Sequence, residues 1–404
     1  MEFFFPLNKD DTKQINKMNI LNLIMKFEKI SKSDLARYTS LSPATVGVLA
    51  EELIENQLVV AHSISESTGG RKATLLSLDE HQVVIIGIAI AKGGISSCAI
   101  SLSGEVLYED DISIMPDLMI SRIKDNIEKI VDQILYRYVS RKCLGIGISF
   151  DGELLMNNVI QTTSNAFIRI EQYKQQFYEK YGVSIHVETR VNSVAIGEKL
   201  YGRAKNAASF FVLDIADAIS AAYYVDGKII RGYNKGTGNV GHIKVTNKSI
   251  KCRCGKAGCF DAVASKKGIE ERYLSKLGEL TNDPELVKSL NGDLTRINAT
   301  NIYEYAVLGD KLSLNIIRET GHYIGTILSY IVNGLNPEMI LITGMYNANN
   351  IMNREINKVL NKMSVHRNLL KVYVGEGALY RHTPALGAAS LVVQDLMCVQ
   401  INTN

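Results

Sequence analysis

Four side chains near the middle of the chain could hold a metal ion. Cys252, Cys254 and Cys259 follow the spacing Cys-x-Cys-x4-Cys, and His242 stands ten positions upstream of the first of them. Three thiolates and one imidazole complete a tetrahedral set for Zn2+. The set leaves no open position for water or substrate, so such an ion would be structural and not catalytic. Gly255 and Gly258 permit the tight turns that bring three sulfurs to one point. The alternative is a chance group of small buried thiols, yet three of the six cysteines fall within eight residues, which random placement seldom produces.

The remaining cysteines, Cys98, Cys143 and Cys398, stand singly in apolar surroundings and read as buried thiols. With a thiolate metal site they point to a reducing cytoplasm. A chain of 404 residues is too long for one core and implies two or three domains. No apolar run approaches the ~20 residues of a membrane span, so no membrane role is expected. Met1 to Pro6 is apolar but too short, and lacks the basic start, for a signal peptide. The net charge of +3 does not by itself mark a nucleic-acid binder. Only six prolines and no long Gly/Ser run mean short linkers.

Alternating and continuous apolar segments surround the cysteine loop. Val83 to Ile90, Ser96 to Leu102 and Glu105 to Tyr108 read as consecutive strands. A long amphipathic helix over Met119 to Val139 leads to a buried strand, Cys143 to Ser149. A helix over Glu171 to Tyr181 then leads to the strand Val183 to Glu188. A second set starts with strands at Phe210 to Ile215, Ile219 to Val225 and Lys228 to Arg231. Helices near Ser265–Leu277 and Asn301–Leu335, strands at Met339 to Thr343 and Lys371 to Val374, and a last helix from Ala385 follow. Two three-strand meanders, each with helix-strand units behind it, read as an internal duplication and an α/β body.

Before this body lies a head of about eighty residues. Asn16 to Phe27 carries apolar residues at helical spacing. Ser31-Lys32-Ser33-Asp34 has the pattern of a capping box for a short helix, Lys32 to Tyr38. Ser42 and Pro43 suit the N-cap and first position of a third helix, Pro43 to Asn56. Helix, short turn, helix is helix-turn-helix spacing. Leu58 to Val60 and Ala73 to Leu78 read as hairpin strands around a tip, Ser67-Thr68-Gly69-Gly70-Arg71-Lys72. Residues 1–75 hold nine Lys/Arg and nine Asp/Glu, so the head is not basic overall and a protein-interaction module is the alternative. Lys13, Lys17, Arg37, Arg71 and Lys72 are its candidate phosphate contacts.

Gly241-His242 followed by Cys252-x-Cys254-Gly255-x-x-Gly258-Cys259-x-Asp261 resembles the zinc signature of the ROK family (repressors, open reading frames and sugar kinases). Leu41-Ser42-Pro43-Ala44-Thr45-Val46, Glu52 to Asn56 and Gly69-Gly70-Arg71 resemble the winged helix-turn-helix of the family's repressors, among them those of the xylose and N-acetylglucosamine type. The resemblance implies an actin-like ATPase (ribonuclease H-like) two-lobe body behind that head. The expected divisions are residues 1–80 for the head, 81–200 for the first lobe joined by a C-terminal helix at 385–404, and 201–384 for the second lobe with the zinc loop. It implies that Ser42, Ala44, Thr45, Gly47 and Val48 face a double-stranded DNA operator, with Arg71 and Lys72 on phosphate or the minor groove.

The family's kinase positions are degenerate here. Ala89 stands where an Asp serves phosphate and metal. The second phosphate loop, Gly-Thr-Gly in kinases, reads Ala216-Asp217-Ala218, and Asp217 would repel a phosphate. The catalytic Asp is replaced by Arg190, which has no acceptor and does not deprotonate. No kinase activity is therefore expected, although phosphoryl transfer would need only such parts.

The family's sugar positions correspond to Asn165, Arg190, Asn239, His242 and Asp261. Loss of carboxylates at Arg190 and Asn239 suggests an anionic effector, a sugar phosphate or sugar acid, gripped by the Arg190 fork. The alternative has Arg190 paired with Glu188, Glu198 or Asp261. The expected function is a cytoplasmic DNA-binding transcriptional repressor of carbohydrate-related genes, controlled by a small molecule in the interlobe cleft. Two heads meeting two half-sites require a homodimer or homotetramer. A sugar kinase with an added head, or a DNA-independent scaffold, are the rival readings.

Overall fold

The computed structural model describes residues 9–63, 74–113, 116–162, 166–233, 236–344, 351–365, 371–374 and 383–397. The described residues form two compact units, one within Met1–Ser149, Glu171–Val187 and Pro384–Asn404, the other within Phe150–Ile170 and Glu188–Thr383. The head and the first lobe thus fall in one unit. Residues 150–170 and 188–200, read from the sequence as first lobe, fall in the second.

The head forms because its caps and its apolar stripes agree. Helices run over Lys9–Phe27, Lys32–Thr39 and Pro43–Glu55. Ser31 Oγ accepts the Asp34 backbone N–H at 3.0 Å and starts the second helix. Ser42 Oγ accepts the Thr45 N–H at 3.1 Å, with Pro43 in the first turn, and starts the third. Val46, Leu49, Ala50 and Leu53 of the third helix are buried, as are Ile20, Leu21 and Ile24 of the first and Leu35 of the second. Val59–Ser63 pairs antiparallel with Thr74–Leu78. Ile30–Ser31 adds a third strand on the other side, which no pattern in the sequence marks. The hairpin tip, with Arg71 and Lys72, lies outside the described residues.

The rest of the first unit is a five-stranded sheet in the order Ser184–Thr189, Lys142–Phe150, Val83–Ala91, Gly94–Ile100, Val106–Ser113. The last three form an antiparallel meander. Val83–Ala91 is buried along nearly its whole length, which is why it reads as one apolar run instead of an alternation. The helix Thr383–Met397 lies against this sheet with almost no gap. A Cβ on Gly147 would collide with the Ala388 carbonyl, and one on Gly87 with the Ala385 carbonyl and Ala389.

The second unit repeats the plan. Its five-stranded sheet runs Lys228–Ile229, Ile219–Val225, Ser209–Ile215, Met339–Thr343, Lys371–Val374. The first three pair antiparallel, and the last two join in parallel. Both sheets therefore set an antiparallel meander beside two later strands, the α/β actin-like plan anticipated from the duplication. Phe211, Leu213 and Ile215 of the central strand pack with Ile316, Ile324, Ile327 and Leu328 of the helix Lys311–Leu335. One reading is corrected: a single helix does not span Asn301–Leu335. It breaks after Val307, Gly309 takes φ 94°, and Asp310 caps a new helix by accepting the Ser313 N–H at 2.9 Å. The unit also contains a small antiparallel meander, Gly152–Leu155, Val159–Thr162 and Phe167–Arg169, which matters for the site below.

Candidate functional site

The cysteine loop is a set of tight turns pinned by its own backbone. Cys252 N–H donates to the Lys256 carbonyl at 2.8 Å, Gly255 N–H to the Cys252 carbonyl at 3.0 Å, and Gly258 N–H to the Ile250 carbonyl at 2.9 Å. Gly255 and Gly258 have φ of 84° and 75°, and a Cβ on Gly258 would meet the Thr246 carbonyl. Glycine is required at both for the reason given by the sequence. Cys259 sits at the N-terminus of the helix Phe260–Ala264, and His242 at the end of a single 3-10 turn, Val240–His242.

These turns converge. The ligand atoms of His242, Cys252, Cys254 and Cys259 all lie within 4.8 Å of one another. Cys252 Sγ is 3.7 Å from His242 Nδ1, and Cys254 Sγ is 3.7 Å from Cys259 Sγ. Burial, with the two neighbouring thiols, pushes the Cys259 thiol up to about 12. The backbone N–H of Lys256 instead holds the Cys254 thiol below its ordinary value. Three thiolates this close repel one another unless a cation sits among them, so the cluster can hold a metal ion. The singly placed thiols differ: burial pushes Cys98 up to about 12 and Cys143 up to about 11, which makes both inert. Cys398 lies outside the described residues.

A pocket of about 440 Å³ opens beside this loop, lined by Gly152, Glu153, Gln161, Thr162, His242, Arg253 and Cys254. His242 presents Nδ1 to the sulfurs and Nε2 to Glu153 Oε1 at 3.5 Å. Asn239 Nδ2 donates to Glu153 Oε2 at 3.4 Å. Asp261, expected in the ligand set, is buried and turned inward. Its Oδ1 accepts the Ile219 N–H at 2.8 Å, and its Oδ2 faces Arg253 Nε at 3.4 Å. Asn165 lies outside the described residues. Glu153 was missed because a carboxylate on a short strand carries no periodic or motif signal. Only its placement across from the His242 turn gives it a role.

Arg190 is placed differently from the anion-gripping role expected of it. It is buried, ion-paired with Asp214 through Nη2, and its Nε lies 3.6 Å from Asp151 Oδ1. Glu188 and Asp261 are not its partners: Glu188 takes Arg231 at 2.6 Å and the Thr189 N–H at 2.8 Å. Burial pushes the Asp151 carboxyl up, against the pull of Arg190. A guanidinium held by two carboxylates does not offer a free fork to an anion.

The segment read as a second phosphate loop, Ala216-Asp217-Ala218, uses two nearby backbone donors within the fold. Ala216 N–H donates to the Ala218 carbonyl at 3.2 Å, and Ile219 N–H goes to Asp261. Those backbone donors are unavailable for an anion cradle. Ala89 is buried within its strand.

On the head, Ser42, Ala44, Thr45 and Val48 are exposed on one side of the third helix, with Val48 at 59%. Gly47 lies among them, and a Cβ there would meet nothing within 4 Å. The cations reserved for phosphate are differently used. Lys13 and Lys17 pair with Glu52 near the far end of the third helix, and Arg37 pairs with Asp34 at 2.8 Å. Lys13 and Lys17 tie the first helix to the third, whereas the Arg37–Asp34 pair lies within the second helix.

Residues 85–395 match the family model described as ROK family. The chain is 26% identical over 394 residues to the xylose repressor of Bacillus subtilis (strain 168), covering 95% of this chain and 96% of that one. It is 24% identical over 397 residues to the N-acetylglucosamine repressor of Escherichia coli O157:H7, covering 96% and 95%. Among solved structures it resembles a ROK family transcriptional regulator, a homolog of the E. coli MLC protein, with a TM-score of 0.82, 24% identity and coverage of 96% and 97%. A ROK family glucokinase from Streptomyces griseus, solved with glucose and AMPPNP, gives a TM-score of 0.62 at 19% identity, covering 98% of its own chain but 76% of this one.

Proposed function

Because the chain belongs to the ROK family, we propose that it is a sugar-responsive transcriptional repressor that binds duplex DNA through its head and is controlled by a small molecule in its body. The observation that carries this reading is the third helix. It is capped by Ser42, buried along one stripe, and presents Ser42, Ala44, Thr45, Gly47 and Val48 to solvent at the N-terminal end. That is the end of a recognition helix which reaches base edges in the major groove. The curated relatives match over nearly their full length and are named as repressors. Against phosphoryl transfer stand Ala89 and Arg190, neither of which can take a proton or hold Mg2+, and the carboxylates beside Arg190, Asp151 and Asp214, which are engaged by its guanidinium.

The four-residue cluster is read as one structural Zn2+ site of His242, Cys252, Cys254 and Cys259. The observed Sγ–Sγ separation of 3.7 Å is that of a tetrahedron edge of about 3.8 Å with Zn–S near 2.3 Å. The donor set is soft and has no carboxylate, which favours zinc over magnesium or calcium. When bound, the ion would fix the loop that carries one wall of the pocket. The effector is read as a sugar seated in that pocket beside His242. Two heads on two half-sites call for a homodimer or homotetramer, working in the reducing cytoplasm that free thiols favour. Among the described residues no helix is long and apolar enough to cross a membrane.

The test is fluorescence anisotropy of the full-length protein on duplexes from its own upstream region and on random duplex, at ~150 mM salt, with and without candidate sugars. Preference for the upstream duplex that changes on adding one sugar supports the reading. Equal affinity for both duplexes under all conditions overturns it.

A further inference from the structure

We propose that Glu153 is the acceptor on which the metal loop and the effector pocket converge: it orients His242 for the ion and selects a neutral polyol over an anionic sugar. The proposal rests on the sugar-responsive reading above and names the chemistry of its ligand. Three distances carry it. The imidazole turns Nδ1 toward Cys252, 3.7 Å away, and Nε2 toward Glu153 Oε1, 3.5 Å away. The other carboxylate oxygen accepts from Asn239 Nδ2 at 3.4 Å. Asn239 and His242 stand at the two ends of one 3-10 turn, so a single carboxylate faces both ends of it.

Such a carboxylate behind a metal-bound imidazole fixes which nitrogen carries the proton and which faces the ion. Its own position is set by backbone. Gly152 and Glu153 pair with Thr162 and Gln161, and a Cβ on Gly152 would strike Gln161 and Thr162. The strand is thus pressed against its neighbour, and Glu153 cannot drift away from the turn.

The same placement decides what the pocket accepts. Among the described residues lining it, Glu153 is the carboxylate and Arg253 the cation, and Arg253 faces the buried Asp261. Arg190, the cation read as an anion clamp, is held by Asp151 and Asp214 and does not line the pocket. An anionic ligand would meet Glu153, and Arg253, the lining cation among the described residues, has its Nε drawn to Asp261, which weakens its offset of the repulsion. A neutral polyol would instead donate its hydroxyls to Glu153, and a pocket of about 440 Å³ lies within the ordinary range for small ligands. Its entry would compete with Asn239 and His242 for one acceptor, which couples occupancy to the loop.

The experiment uses the full-length, metal-loaded protein with Glu153→Gln, which preserves shape, and Glu153→Ala. Zinc release to a chromogenic chelator is followed alongside calorimetry with xylose, glucose, N-acetylglucosamine, glucose 6-phosphate and gluconate. The expected results are roughly 10–100-fold weaker zinc retention in Glu153→Ala, a smaller loss in Glu153→Gln, and wild-type binding of at least one neutral sugar that falls tenfold or more in both variants. Unchanged zinc release in Glu153→Ala overturns the orienting role. Tighter binding of an anionic sugar, or no binding of any probe, overturns the ligand class. Wild-type protein that holds no zinc removes the metal reading and this role with it, whereas failure of the repressor reading would show in the DNA anisotropy alone.

Discussion

Arg190 is ion-paired with Asp214, and Asp151 closes the other side of the guanidinium with Oδ1 3.6 Å from Nε. All three are buried or nearly so. Thr343 Oγ1 donates to Asp214 Oδ1 at 2.8 Å and completes the arrangement. Two buried carboxylates so close need a cation between them, and Arg190 supplies it from within the chain. The four side chains together form an internal brace.

Removing that cation leaves two carboxylates facing each other out of water. Arg190→Ala is expected to lower the stability of the second unit by about 3–5 kcal/mol, the cost typical of orphaning a buried charge. Urea denaturation followed by circular dichroism measures it. A midpoint within error of wild type would mean that Arg190 does not brace this corner. The triple variant Arg190→Met with Asp151→Asn and Asp214→Asn is expected to recover most of the loss, because no charge is then left unpaired.

Gly47 offers a case where stability and function should part. Glycine inside a helix costs roughly 0.5–1 kcal/mol relative to alanine, and nothing in the fold fills the space a Cβ would take. Gly47→Ala is therefore expected to stabilise the head by about that amount, read from thermal unfolding. Its neighbours Ala44, Thr45 and Val48 are exposed on the same helix. If the missing side chain exists to admit DNA closely, Gly47→Ala should weaken operator binding roughly tenfold or more, about 1.4 kcal/mol. Anisotropy on the upstream duplex checks it, and unchanged affinity would remove Gly47 from the interface.

Local chemistry made much of this legible in the sequence. Ser31, Ser42 and Pro43 act where their capping preferences put them, and Gly255 and Gly258 take the positive φ values that a closely spaced thiol loop demands. Relationships set by tertiary placement were not legible. Arg190 was weighed against Glu188, Glu198 and Asp261, whereas its partners come from residues 151 and 214. Lys13 and Lys17 read as available for phosphate because the residue that meets both, Glu52, lies more than thirty positions along the chain on another helix. The break at Gly309 was hidden because apolar spacing continues across it, and only the Asp310 cap betrays a new start.

The kinase positions make a prediction about restoration. Ala89→Asp together with Arg190→Asp would return two carboxylates, yet turnover with ATP is expected to stay at background in a coupled ADP-release assay across hexoses, pentoses and amino sugars. The reason lies in the loop: the Ala216 and Ile219 N–H groups already bond to Ala218 and Asp261, and the Asp217 carboxylate between them repels a phosphate. Arg190→Asp would also place a third carboxylate beside Asp151 and Asp214 and is expected to destabilise the unit. Measurable phosphorylation by the wild type or the double variant, tracking with the purified protein, would refute the reading of a non-catalytic body.

The cluster of thiols allows the effect of the metal to be separated from that of packing. Cys254 is exposed, whereas Cys252 and Cys259 are buried beside Ile250 and Ala262. Cys254→Ser removes a thiolate without removing buried volume, so any loss of stability in it reports the ion alone. Cys259→Ser loses the thiolate and also leaves a polar hydroxyl in a buried place. Both variants are expected to bind less than one tenth of the wild-type zinc by elemental analysis, with Cys259→Ser unfolding at the lower temperature. Each thiol must lose its proton to bind, and burial and crowding hold Cys259 up near 12 when no cation is present. Protons therefore compete with the ion, and zinc retention against a fixed chelator should fall as pH is lowered. Full zinc content in Cys254→Ser, or retention that rises on acidification, would rule out the site of His242, Cys252, Cys254 and Cys259.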